Sequence, residues 1–170
     1  MNSDLIRERF GSYFVDVMRQ SEQTRLANLY SMENGEKICR TLALTQFFLP
    51  TCPELAEPDQ QIRRGASIGA TLRGAGYAVE KIESAIIVAK AGRKMADLTG
   101  GQVATGSRIE IRVYALNAVS AGSTYPYAMI AEAYHPAHIP PASAAINVDM
   151  ALEKLSSLER QALNAIVTEL

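Results

Sequence analysis

The chain has little of what most recognisable chemistries need. Its 170 residues include two cysteines, Cys39 and Cys52, and two histidines, His135 and His138. Two cysteines exclude a disulfide scaffold, and their separation leaves no zinc-ligand spacing. Charge imbalance is also missing: 17 Lys+Arg against 18 Asp+Glu give a formal net charge of −1. That leaves no electrostatic footprint for nucleic acid or a membrane surface. No apolar run approaches the roughly 20 residues of a membrane span. The start, Met1-Asn-Ser-Asp-Leu-Ile-Arg-Glu-Arg9, is too charged for a signal peptide. No Gly-x-Ser-x-Gly elbow is present, and the glycine-rich Arg63–Gly76 lacks the Gly-Lys-Ser/Thr of a phosphate loop. Glycines that allow tight helix–sheet packing explain that segment better. The expectation is a cytoplasmic protein with reduced thiols, no metal and no cofactor.

What is present is an ordinary globular composition, 48% apolar and 21% charged, and a length that suits one core. Leu5–Arg9 reads as the end of a short helix closed by Gly11, and Tyr13–Met18 as a strand. Thr24–Ser31 and Glu36–Phe48 read as strands joined by Met32-Glu-Asn-Gly35, because Asn-Gly between such runs is a strong hairpin signal. Ile62–Leu72 suggests a short helix, stopped by Gly74 and Gly76. Val79–Ala89 reads as a strand and Gly92–Gly106 as a turn-rich polar segment. Arg108–Leu116 alternates cleanly and predicts a half-buried strand. Ala118–Thr124 is a small-residue turn. In Val148–Leu170, apolar residues recur three or four apart, which predicts an amphipathic helix. The pattern gives an α+β domain over residues 1–147, with a mostly antiparallel sheet of about six strands and flanking helices. The helix over 148–170 packs on that domain or on a partner subunit, so a homodimer is one reading.

The segment Tyr125–His138 carries the most information. Alternation places Ala128, Ile130, Glu132 and Tyr134 on one face, and Tyr127, Met129, Ala131 and Ala133 on the other. Neither face is polar, so the strand is central and covered on both sides. A carboxylate there is costly unless it is paired, hydrogen-bonded or protonated. Glu132 is then either a structural carboxylate, a general acid with a raised pKa, or a donor to an anionic ligand. Arg40 interrupts an apolar face in the same way, among Ile38, Leu42 and Leu44. It would bind a substrate carboxylate or neutralise Glu132. Arg25 shares a face with Ala27 and Leu29, and water is its simplest environment. His135-x-x-His138 after a strand reads as two surface histidines rather than a metal site, because Pro136 prevents helical spacing.

Several collinear pieces resemble the chorismate lyase family and the related UTRA ligand-binding domains. Arg7–Gly11 is similar to the charged segment before that family's first hairpin. Leu29-Tyr-Ser-Met-Glu-Asn-Gly-Glu…Cys39-Arg-Thr41 resembles its hairpin, with Cys39 where the family has glycine. Gly65–Leu72, with Ile68-Gly69, is similar to the segment opening its central helix. Tyr127-Ala-Met-Ile-Ala-Glu-Ala-Tyr-His-Pro136 resembles its final strand, with Ala131 in place of threonine. The resemblance implies a cofactor-independent lyase that eliminates pyruvate from chorismate. Glu132 would be its acidic catalytic residue, and Arg40 would act with it. Arg25 would bind a substrate carboxylate, although Ala27 lies closer to register. Cys39, Ile68 and Gly69 would line the pocket. Two other readings stand beside it: a non-catalytic UTRA-like domain that binds a small carboxylate, and an assembly protein using its C-terminal helix. A decisive point is geometric, namely whether Glu132 and Arg40 point into one space.

Overall fold

The computed structural model describes residues 2–170. Two antiparallel three-stranded meanders join side by side. The first comprises β1 (Phe14–Gln20), β2 (Thr24–Glu33) and β3 (Glu36–Phe47); the second comprises β4 (Ala78–Lys90), β5 (Arg108–Ser120) and β6 (Ser123–Tyr134). β3 pairs with β6, and a two-residue strand, β7 (Ile146–Asn147), adds in parallel to β4. The order is β1-β2-β3-β6-β5-β4-β7. This is the expected α+β fold on a mostly antiparallel sheet, with β7 as the strand beyond the six expected.

Both long hairpins close with two residues at positive φ. Asn34 and Gly35 have φ of 51° and 86°; Ala121 and Gly122 have φ of 50° and 78°. Such turns match the right-handed twist of the flanking strands. The second loop is shorter than the expected Ala118–Thr124 turn, because β5 and β6 run on through its small residues.

Helices cover both faces. On one lie α4 (Arg93–Leu98), α5 (Val148–Lys154) and α6 (Ser157–Thr168). Met95, Ala151, Leu155, Leu163 and Ile166 pack there with Leu42, Leu44, Ile111 and Ala131 of the sheet. The C-terminal segment therefore completes the core of its own chain. It is two helices, not one. Ser156 caps α6 through a reciprocal capping box with Glu159, which competes successfully with helical continuation at Leu155. α4 lies inside the stretch read as turns.

The opposite face carries α1 (Asn2–Phe10), α2 (Ala56–Arg63) and α3 (Ile68–Gly74). The single helix expected over Ile62–Leu72 is split: Ile62 and Arg63 end α2, a break follows with Gly65 at φ 104°, and α3 then runs to Gly74. Leu55, Ile62 and Leu72 pack there against Phe47, Leu116 and Ile130. Because both faces are covered, β5 is not half-buried: Glu110 and Tyr114 are as buried as Ile109 and Ile111.

Two β-bulges override simple alternation. Thr41 pairs with Leu29 but Cys39 pairs with Tyr30, which leaves Arg40 unmatched. Leu116 pairs with Ala128 but Asn117 pairs with Pro126, which leaves Tyr127 unmatched. Tyr127 thereby joins the Ala128–Ile130 side, contrary to the alternation, and its hydroxyl donates to Asp59 at 2.8 Å.

Candidate functional site

A cavity of about 70 Å³ lies between the sheet and the pair α1 and α3. Its floor is the alternate residues of four strands: Arg25 and Ala27 of β2, Ala43 of β3, Glu132 of β6 and Tyr114 of β5. These share one face because Ala43 lies directly opposite both Ala27 and Glu132 in the register. Asn2 and Ser3 of α1, with Ile68 and Gly69 of α3, form the roof. Lys81 of β4 stands at the end away from Arg25.

Glu132 is 4% exposed and surrounded by donors. Tyr134 Oη donates to it at 2.5 Å, Asn2 Nδ2 at 3.0 Å and Lys81 Nζ at 3.4 Å. Burial on its own raises its pKa. Lys81, Tyr134, Asn2 and Tyr114 together outweigh burial and hold the carboxyl below its ordinary range. Glu132 is a carboxylate that accepts on both oxygens. A protonated general acid is not what these surroundings favour.

Asn2 extends the network. Its Nδ2 also donates to Thr41 Oγ1 at 3.1 Å, and its Oδ1 lies 2.6 Å from His138 Nε2. The amide oxygen accepts, so His138 carries its proton on Nε2. Both histidines are buried, contrary to the surface reading, and burial lowers each pKa to about 4. No group of three or more metal-ligating side chains occurs among the described residues.

Arg25 is the other buried charge at the cavity, 2% exposed. Its Nη1 donates to the carbonyls of Ala66 at 2.8 Å and Ile62 at 3.3 Å, and its Nη2 to that of Gly65 at 3.5 Å. It thus ties β2 to the α2–α3 break. Its Nε has no hydrogen-bond partner among the described residues. Burial lowers its pKa, and Tyr127 and Tyr13 act against this. The contrast with its peers is sharp. Arg40 pairs with Glu33 at 2.9 Å, Arg63 with Asp59 at 3.1 Å, and Arg112 with Glu110 at 2.7 Å.

Arg25, Ala27, Ile68, Gly69 and Glu132 therefore meet at one cavity, while Arg40 and Cys39 do not reach it. The bulge carries Arg40 to the far end of α1. There it stacks over the Phe10 ring at 3.9 Å and donates to Ser31 and Glu33. The proposed Arg40–Glu132 pair is not formed. Cys39 lies in the core on the opposite face, where burial pushes its thiol up to about 12. Sequence reasoning passed over Asn2, Lys81 and Tyr13. Only Lys81 carried a signal, as a lysine in a strand-like apolar run.

The sequence matches no protein-family model and no curated protein. Solved structures do resemble it. A protein described as the ligand-binding domain of a GntR-family transcriptional regulator from Bordetella bronchiseptica aligns over 74% of this chain and 85% of its own, at 13% identity and TM-score 0.44. A GntR-family transcriptional regulator from Enterococcus faecalis aligns over 72% and 88%, at 14% identity and TM-score 0.40. The C-terminal domain of Yurk from Bacillus subtilis aligns over 72% and 86%, at 13% identity and TM-score 0.38.

Proposed function

We propose that this chain is a small-molecule binding domain whose cavity takes a small organic carboxylate, with Arg25 as the charge partner. The observation that carries this reading is Arg25: its guanidinium lines the cavity, bonds only main-chain carbonyls and meets no carboxylate among the described residues. A buried cation without a counter-ion is costly. An anionic ligand in the adjoining cavity supplies the missing charge. The apolar walls of Ala27, Ala43, Ile68 and Ile130 exclude water and suit a short carbon skeleton. Glu132 favours binding over elimination. Its oxygens are occupied by Tyr134, Asn2 and Lys81, and its lowered pKa leaves no proton to deliver to a leaving group.

The test is thermal unfolding in the presence of pyruvate, lactate, 4-hydroxybenzoate or chorismate, with pyruvate release followed in the chorismate sample. A ligand at 100 times its Kd adds about 2.7 kcal/mol, which raises the melting temperature by several degrees for a chain of this size. A shift with no pyruvate release is expected. No shift with any of the four contradicts the proposal, and catalytic pyruvate release reinstates the lyase.

A further inference from the structure

The cavity has a neighbour. A depression of about 290 Å³ opens on the outer side of α1, lined by Leu5, Val79, Arg112, Tyr134 and Ile139. Among the described residues, two line both spaces: Asn2 and Lys81. The wall between them is the cluster around Glu132.

The members of that wall differ in how firmly they are held. Asn2, Tyr114 and Tyr134 are buried. Asn2 makes three hydrogen bonds, to Glu132, Thr41 and His138. Tyr134 packs against His138 and donates to Glu132. Lys81 differs. Its side chain is 31% exposed, its Nζ–Glu132 contact is 3.4 Å, and its ammonium lies 4.1 Å from the Tyr114 ring centroid. It projects from Glu80–Ser84, an exposed run of β4 that ends at a register shift. A partly exposed lysine pair of this kind contributes little to stability, and its flexible stem reaches solvent without disturbing the backbone.

Size favours such movement. A cavity of about 70 Å³ is smaller than the ~150 Å³ space that holds a benzene ring. A ring-bearing acid needs more room, and the wall shared with the depression is one place to gain it. Swinging Lys81 outward joins the cavity to the depression while Glu132 keeps its other donors.

We propose that Lys81 is the gate of the cavity: small anions enter through the depression at Leu5 and Val79 when its ammonium leaves Glu132. In the closed state Lys81 neutralises Glu132. In the open state it offers a cation at the mouth, on the route to Arg25 at the far end. The inference rests on the cavity being the binding site, but its test needs no ligand.

The probe is a thiol. Ala27→Cys places one on the cavity floor beside Arg25, with three strands between it and β4 in the sheet order. Cys52→Ser removes the more accessible native thiol, and Cys39 is fully buried. The rate of labelling by a small anionic methanethiosulfonate, corrected for the Cys52→Ser protein alone, reports entry. Adding Lys81→Ala is expected to raise that rate about fivefold, the upper range for losing a weak, partly exposed ion pair from a closed state. Adding Leu5→Trp, at an exposed position on the rim, is expected to slow it at least as much. Should Lys81→Ala fail to fold, Leu5→Trp decides alone. Unchanged rates in the folded variants, or no labelling of Ala27→Cys in any of them, overturn the assignment. If the gate stands and no carboxylate shifts the melting curve, only the proposed ligand class fails.

Discussion

Replacing Glu132 by glutamine preserves shape and removes one charge, so the structure sets the cost directly. Tyr134 and Asn2 each donate to the carboxylate, at 2.5 and 3.0 Å, and Lys81 approaches at 3.4 Å. Hydrogen bonds to a charged group contribute roughly 1.5–3 kcal/mol each, against about 0.5–1.5 for neutral pairs. Weakening two of them costs about 2 kcal/mol. The new amide NH2 then faces groups that are themselves donors, which adds about 1 kcal/mol or more. The sum is about 3 kcal/mol, and it comes from the buried donors Tyr134 and Asn2 rather than from the partly exposed Lys81. Urea denaturation of wild type and Glu132→Gln measures it, with an unchanged slope showing that both unfold alike. The pH dependence carries a second signature. The folded pKa of Glu132 lies below its usual 4.5. Its contribution is therefore fully present above that value and is lost as pH falls through the folded pKa. The gap between the two proteins should close in acid. Tyr134→Phe should remove part of the same energy, and the double mutant should show coupling between the two sites. A cost under about 1 kcal/mol, or a gap that does not change with pH, refutes the carboxylate network.

Two further outcomes follow from other parts of the molecule. His135 and His138 titrate near 4 in the fold, below their ordinary 6.5, because burial disfavours the cation. Above pH 6.5 both states are neutral. As pH falls toward 4, the unfolded chain takes up protons that the fold does not, so stability drops by about 1.4 kcal/mol per pH unit per histidine. Replacing His138 with Gln should roughly halve that slope between pH 6 and 5 in chemical denaturation, and an unchanged slope argues that this histidine is not neutral in the fold. Gly92→Ala is expected to destabilise by about 1–3 kcal/mol. A Cβ there would lie 2.6 Å from the main-chain carbon of Leu170, whose oxygen accepts from Met95 N; a neutral substitution in thermal unfolding would mean that this end of the chain is loosely held.

The fold was legible where local chemistry and pattern agreed. Asn34-Gly35 gave the β2–β3 turn, and the two apolar faces of Ala128–Tyr134 gave a central strand. The C-terminal helices were legible as one apolar period, but the break was not. Leu152, Leu155 and Leu158 keep helical spacing across it, and the deciding Ser156…Glu159 pair reads as ordinary surface polarity unless a cap is sought. The site was harder. One unmatched residue in a strand turns a side chain to the other face. Alternation cannot reveal this, and so Arg40 lies at the end of α1 and Tyr127 beside Asp59. Lys81 and Asn2 meet Glu132 from 51 and 130 residues away in the chain. Nothing in a lone lysine or an N-terminal asparagine announces such a contact.

The account turns on Arg25 as the unpaired cation of a carboxylate site. The direct measurement is calorimetric titration of wild type and Arg25→Met with pyruvate and 4-hydroxybenzoate, each beside its uncharged amide. A charge-assisted contact of roughly 1.5–3 kcal/mol corresponds to about 10- to 100-fold in affinity. The acids are expected to bind wild type at least tenfold more tightly than the amides, and that preference should vanish in Arg25→Met. Equal binding of acid and amide, or an undiminished preference in Arg25→Met, would contradict it.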